Sequence, residues 1–283
     1  MKDNSDNQIF EKAPLRDRMT VYVGVFVVLL VSWFYILGMG WHMNTLPFVE
    51  NKMIDMSMDM EKPISFLDTI LMWMPPSSGS WVLSDFVLLF LMWSVMMIAM
   101  MTPSILPMLM LFTTLNARNK SKGKDTSSTL LLLAGYLMSW VLFSLVITLP
   151  EYAMHKSGLL NPMMEPTHAY LGSVMLVIAG IYQFTPFKDA CLTVCQSPLT
   201  FLMNNWKDGN LGTFLVGYKH GFYCIGCCWA LMLTLFALGV MNIMWVMVLT
   251  IFVLFEKLSY KNPLLFRRVA GYAFILWGIL LAY

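Results

Sequence analysis

The sequence predicts an all-α fold, a polytopic membrane helical bundle of about seven transmembrane helices with the N-terminus inside and the C-terminus outside. Three observations predict it. Of 283 residues, 58% are hydrophobic and 12% are charged, about half the charged fraction of a soluble domain. Mean hydropathy is +0.68. Apolar stretches long enough to cross a bilayer recur along the chain, and Lys and Arg crowd into alternate connections between them.

The stretches fall near 20–41, 83–112, 129–149, 167–186, 213–240, 243–258 and 269–283. A crossing takes about 20 residues, within a range near 17–25, so the sixth and seventh are short. The second exceeds one straight span. Pro103 and Pro107, in "AMMTPSILPMLM", are expected to kink it or turn its last part along the interface. Thr185-Pro186 and Ser197-Pro198 each read as an N-cap followed by Pro at the first helical position. The 187–218 segment therefore reads as two short amphipathic helices closed by a turn at "KDGN".

With the N-terminus in the cytoplasm, the inner segments hold Lys2, Lys12, Arg16 and Arg18; Arg118, Lys120, Lys122 and Lys124; Lys188, Lys207 and Lys219; and Lys257, Lys261, Arg267 and Arg268. The outer segments hold Lys52, Lys62 and Lys156. This asymmetry sets the orientation. Residues 1–283 read as a single membrane domain, with a cytoplasmic tail at 1–19, an outer loop at 42–80 and the inner segment at 187–218. The polar start leads into an apolar stretch too long for a cleaved signal. The last span has no Lys for a retinal Schiff base, which argues against a light receptor.

This topology gathers all five cysteines at the inner face. Cys191 and Cys195, in "FKDACLTVCQSP", share a face at i and i+4. His220, Cys224, Cys227 and Cys228 fall at i, i+4, i+7 and i+8 of the fifth span, a single helical stripe. The cytoplasm is reducing, which argues against structural disulfides. Thiolate and imidazole suit Cu(I) best here, with zinc or an iron–sulfur cluster as alternatives. The stripe cannot set three sulfurs on one ion without another segment, so convergence with Cys191 or Cys195 is expected. Lys188, one turn before Cys191, is expected to favour the thiolates. Packing of small apolar residues is the bland alternative. Gly217 and Gly221 form a G-x-x-x-G that would admit a close neighbouring helix.

The opposite face carries "WHMNTLPFVENKMIDMSMDMEKP". His42, Met43, Met53, Met56, Met58 and Met60 form a second, outer candidate site for Cu(I) through thioethers, with His155 and His168 in reach. A protein-docking surface explains the same methionines. In the second span, Met92, Met96 and Met100 repeat at i+4, with Met97 and Met101 beside them. They read as packing first and as a thioether ladder second. Glu256, beside Lys257 at the inner end of the sixth span, reads as a paired structural charge more than as an ion-path residue.

"MWSVMMIAMMTP" at 92–103, "YQFTPFKDACLTVCQSP" at 182–198 and the segment from Gly217 to Lys257 together resemble a bacterial family of predicted metal-binding integral membrane proteins. The resemblance spans about residues 85–258. It implies a helical membrane fold, metal binding at the Cys and His positions, and a place in the bacterial inner membrane.

Three functions remain in view. The first is handling of a soft metal ion, Cu(I) above all. The second is a non-catalytic accessory or assembly subunit of a membrane copper or haem enzyme, whose partners are lipid and other membrane subunits rather than nucleic acid. The third is thiol redox chemistry at Cys227 and Cys228 with Cys191. The sequence has no hydrolytic triad, phosphate loop or paired-acid site, which favours a non-enzyme.

Overall fold

The computed structural model describes residues 14–42, 81–121, 123, 126–161, 164–258 and 263–282. Among these the architecture is all-helical, apart from one isolated bridge between Leu160 and Pro166. The helices are α1 (Leu15–His42), α2 (Leu83–Ser121), α3 (Thr129–Lys156), α4 (Ala169–Tyr182), α5 (Pro186–Gln196), α6 (Pro198–Asn205), α7 (Gly209–Leu238), α8 (Ile243–Leu258) and α9 (Pro263–Ala282).

Five of these are long and apolar enough to cross a membrane: α1, α2, α3, α7 and α9. The pair α4 and α5, bent by 67° at the intervening break, adds a sixth if taken as one span. The sequence expectation counted α8 as a crossing. Its 16 residues reach about 24 Å at 1.5 Å per residue, short of a hydrocarbon core of about 30 Å. Apolar side chains cover the outside of the bundle: Phe34, Phe255, Tyr272 and Leu280 are all exposed. Such a surface suits hydrocarbon better than water.

The core is built around α2. Leu89, Met92, Trp93, Met96, Met97, Met100, Met101, Ile105 and Met108 are all buried along it. This helix runs unbroken through 39 residues with both prolines inside, where the sequence suggested a kink or a turn along the interface. Pro103 and Pro107 withhold the amides that would reach the carbonyls of Ala99 and Pro103. Flanking hydroxyls engage nearby carbonyls, with Thr102 donating to Ile98 (2.5 Å) and Ser104 to Met101 (2.8 Å). The surrounding core holds this weakened turn in place.

Small residues set the closest helix contacts. A Cβ on Gly135 of α3 would collide with the Phe214 carbonyl of α7, and one on Gly217 with the Leu132 carbonyl of α3. At Gly221 it would strike the Ser139 side chain, whose hydroxyl instead donates to the Tyr218 carbonyl at 2.8 Å. The expected G-x-x-x-G contact is thus made, and α3 is the partner. The same device joins α4 to α9, where Ser173 donates to the Gly278 carbonyl at 2.5 Å.

Helices α5 and α6 pack across one end of this bundle. Thr185 caps α5 as expected, accepting from the Lys188 amide at 3.3 Å. Ser197 differs: its hydroxyl donates back to the Thr193 carbonyl at 2.5 Å and does not cap α6. Two ion pairs fasten α5. Lys188 Nζ lies 2.8 Å from Glu256 Oε1 of α8 with both side chains buried, and Arg267 of α9 grips Asp189. Gln196 Nε2 also donates to the Glu256 carbonyl at 2.9 Å.

Candidate metal centre

The end of α5 meets the middle of α7 because Gly226 leaves room. A Cβ there would stand 2.7 Å from Cys191 Sγ. With that space open, α5 lies against α7 and brings Cys195 Sγ to 3.9 Å from Cys227 Sγ. The sulfur atoms of Cys195, Cys224 and Cys227 all lie within 4.8 Å of one another. Cys224 and Cys227 are fully buried, and Cys195 is partly so. The group draws on two helices, as the sequence argument required.

The other predicted residues take separate places. Cys228 Sγ lies 3.2 Å from Cys227 Sγ, at the edge of the three-sulfur group. Cys191, one turn back along α5, fills the notch at Gly226 and is not in that group. His220 is buried, its ring between Phe201 (centroids 5.1 Å apart) and Tyr136 (6.0 Å). Its Nδ1 has no hydrogen-bond partner. The imidazole instead lines a cavity of about 160 Å³ together with Cys195, Ser104, Met108 and Lys257. That cavity gives one of the three sulfur-bearing residues an open approach. All five cysteines are free thiols.

Polar groups from three more helices close on the cluster. Lys257 Nζ of α8 lies 2.7 Å from Cys224 Sγ and donates to Ser104 Oγ of α2 at 2.9 Å. The Tyr136 hydroxyl of α3 is 3.0 Å from the same sulfur and donates to the Met101 carbonyl at 3.2 Å. The Gly217–Gly221 contact between α3 and α7 is what lets Tyr136 reach so far.

The ammonium beside the sulfurs corrects one expectation. Lys188 does not serve the cysteines, because Glu256 holds it at 2.8 Å in a buried pair. Lys257 stands there instead, and sequence reasoning missed it. The signal was available: two adjacent ionisable residues end an apolar helix, and helical geometry turns neighbours about 100° apart. Glu256 is a paired structural charge, as read from the sequence, but its partner is Lys188.

The outer candidate site fares differently. Met43, Met53, Met56, Met58 and Met60 lie outside the described residues, and so does the side chain of His42, the last residue of α1. His155 packs against Trp81, with centroids 5.4 Å apart. His168 precedes α4 as its N-cap residue without a side-chain cap.

Chemically, the centre offers soft sulfur ligands with a positive charge against one of them. Thiolate ligands select Cu(I) and zinc among common ions. A closed structural zinc site takes four ligands, whereas the described residues converge three. The donor set suits a soft metal ion.

A family model described as PpoB2, copper chaperone, matches residues 90–281. The match begins inside α2 and runs through α9, so it contains every residue of the centre and extends past the end of the resemblance seen in the sequence. No curated protein and no solved structure matches the chain.

Proposed function

The chain belongs to the PpoB2 copper chaperone family, and from that premise we propose that it is a membrane-embedded chaperone that holds Cu(I) on Cys195, Cys224 and Cys227. The observation that carries this reading is the convergence of those three sulfurs within 4.8 Å from two helices. Thiolates bind Cu(I) as anions, and a thiolate cluster without a counter-charge is costly in oil. Lys257 supplies one positive charge at 2.7 Å. Cys195 sits at the cavity rim and is the ligand a recipient reaches first.

The charge asymmetry supports a bacterial inner-membrane location with the cluster at the cytoplasmic face, where thiols stay reduced. The role is then accessory: delivery of copper to a membrane enzyme, with no chemistry on an organic substrate. The Met-rich 42–80 segment and the polar tail supply docking surface for that enzyme.

Elemental analysis of protein purified in mild detergent from copper-fed cells tests the proposal. About one copper per chain is expected at the cysteines, X-ray absorption should show sulfur neighbours only, and C195S, C224S and C227S should each lose that ion. Copper content unchanged in all three variants would overturn the assignment. Zinc at the same stoichiometry would keep the site and change the cargo.

A further inference from the structure

A second group of soft side chains lies at the other end of the bundle. Met39 near the end of α1, Met92 and Met96 in the first half of α2, and Met241 just beyond α7 line one cavity of about 20 Å³. All four are buried, between 4% and 8% exposed. A space of this size accommodates a single small species and no more. Its other walls, among them Ile36, Val240 and Val246, are apolar. Close-packed interiors leave few voids, and Met is the residue best able to close a gap by changing rotamer. Four flexible thioether side chains share the lining of this one void, with Tyr35 and Gly40 beside them.

We propose that Met39, Met92, Met96 and Met241 form a thioether site for Cu(I), from which the ion moves along α2 to the cysteine centre. Neutral thioethers hold Cu(I) without adding charge in a low-dielectric interior, and they reject hard ions. The path is written in α2. Met96 precedes Ser104 by eight residues, about 12 Å at 1.5 Å per residue, and Ser104 contacts Lys257 at the cysteine centre. Met97, Met100 and Met101 are buried in that interval, at 0%, 1% and 0% exposure. The Met101 carbonyl accepts from the Tyr136 hydroxyl that also touches Cys224. An ion leaving weak neutral ligands for anionic sulfur moves downhill in the direction of the cysteines.

The proposal rests on the copper reading of the cysteine centre, and the test separates the two. Ag(I), a Cu(I) mimic that does not change oxidation state, is titrated into detergent-purified full-length protein carrying C191S, C195S, C224S, C227S and C228S, which removes all five thiols. The same background with M92L, M96L and M241L is compared; leucine keeps the volume. About one bound equivalent should disappear with the methionines. An unchanged Ag(I) count would overturn the thioether site while leaving the cysteine assignment standing. If the eightfold variant is not monodisperse, M92L alone in the cysteine-free background should weaken the remaining site about tenfold, and unchanged affinity there counts equally against it. In the wild-type cysteine background, M92L with M96L should leave copper affinity at the cysteines intact and slow their loading when Cu(I) is offered to proteoliposomes from the Met39 side. Undiminished loading would remove the relay.

Discussion

Lys257 of α8 places its ammonium 2.7 Å from Cys224 Sγ of α7, while its neighbour Glu256 is turned toward Lys188 of α5 at 2.8 Å. Two consecutive residues thus serve two different structures, one the cysteine cluster and the other a helix clamp. The separation gives distinct predictions for each.

For Lys257, K257M removes the counter-charge while keeping a long flexible side chain. Groups that support metal ligands from behind are worth about ten- to a hundredfold in affinity. Competition with a Cu(I) chelator should show a loss of that order. K257R, which restores the charge, should recover most of it. Equal loss in K257M and K257R would mean that shape matters at this position and charge does not.

For Glu256, E256Q leaves the Lys188 ammonium buried without its partner. Breaking a buried pair from one side costs about 3–5 kcal/mol, whereas replacing both partners with apolar residues is often neutral. Thermal unfolding in detergent should therefore drop for E256Q and return for K188M/E256L. Copper stoichiometry should survive in the double variant, because neither residue touches a cysteine sulfur.

Gly221 positions the centre from outside it. G221L forces a branched side chain into Ser139 and pushes α3 from α7. Overpacking of this kind costs about 1–3 kcal/mol. It also draws the Tyr136 hydroxyl away from Cys224, 3.0 Å distant in the native arrangement. Both stability and copper affinity should fall, and Y136F should reproduce only the second effect. A G221L protein with native affinity would show that the Tyr136 contact is dispensable.

The proposed orientation puts the two ends of α3 on opposite faces. Reporters inserted at Gly123 and at Gly158 should therefore give opposite signals, with Gly123 inside. A shared face would move the cysteine centre out of the cytoplasm and with it the argument for reduced thiols.

Much of the fold was legible in the sequence because hydropathy is a local property. Each apolar stretch became a helix, and Thr185-Pro186 and Gly217-x-x-x-Gly221 did the jobs their residue types suggest. The site was legible as a set of cysteines on two helices, since i, i+4 and i+7 spacings declare a face. What spacing cannot declare is which neighbouring helix that face meets, or how far along it. Lys257 was hidden for this reason: its partner is 33 residues away in the chain, and Lys188 looked nearer to the cysteines in sequence than it is in space. The methionines of α2 read as packing, and they do pack. Only the grouping of Met92 and Met96 with Met39 and Met241 around one cavity sets those two apart.

The sharpest local contrast is between Cys191 and Cys195. They share a face of α5, one turn apart, and both touch α7. Cys195 reaches the sulfurs, 3.9 Å from Cys227, while Cys191 falls on Gly226. Cys191 fills the Gly226 notch outside the three-sulfur group, so C191A should retain full copper and lose at most the small stability of one buried thiol. C195S, nearly identical in volume to the native side chain, should retain stability and lose the metal. The pair of measurements is elemental content and melting temperature on the same preparations. If C191A lost copper with an unchanged melting temperature, Cys191 would have to swing from the Gly226 notch into the centre on loading, and the ligand set would need a fourth sulfur.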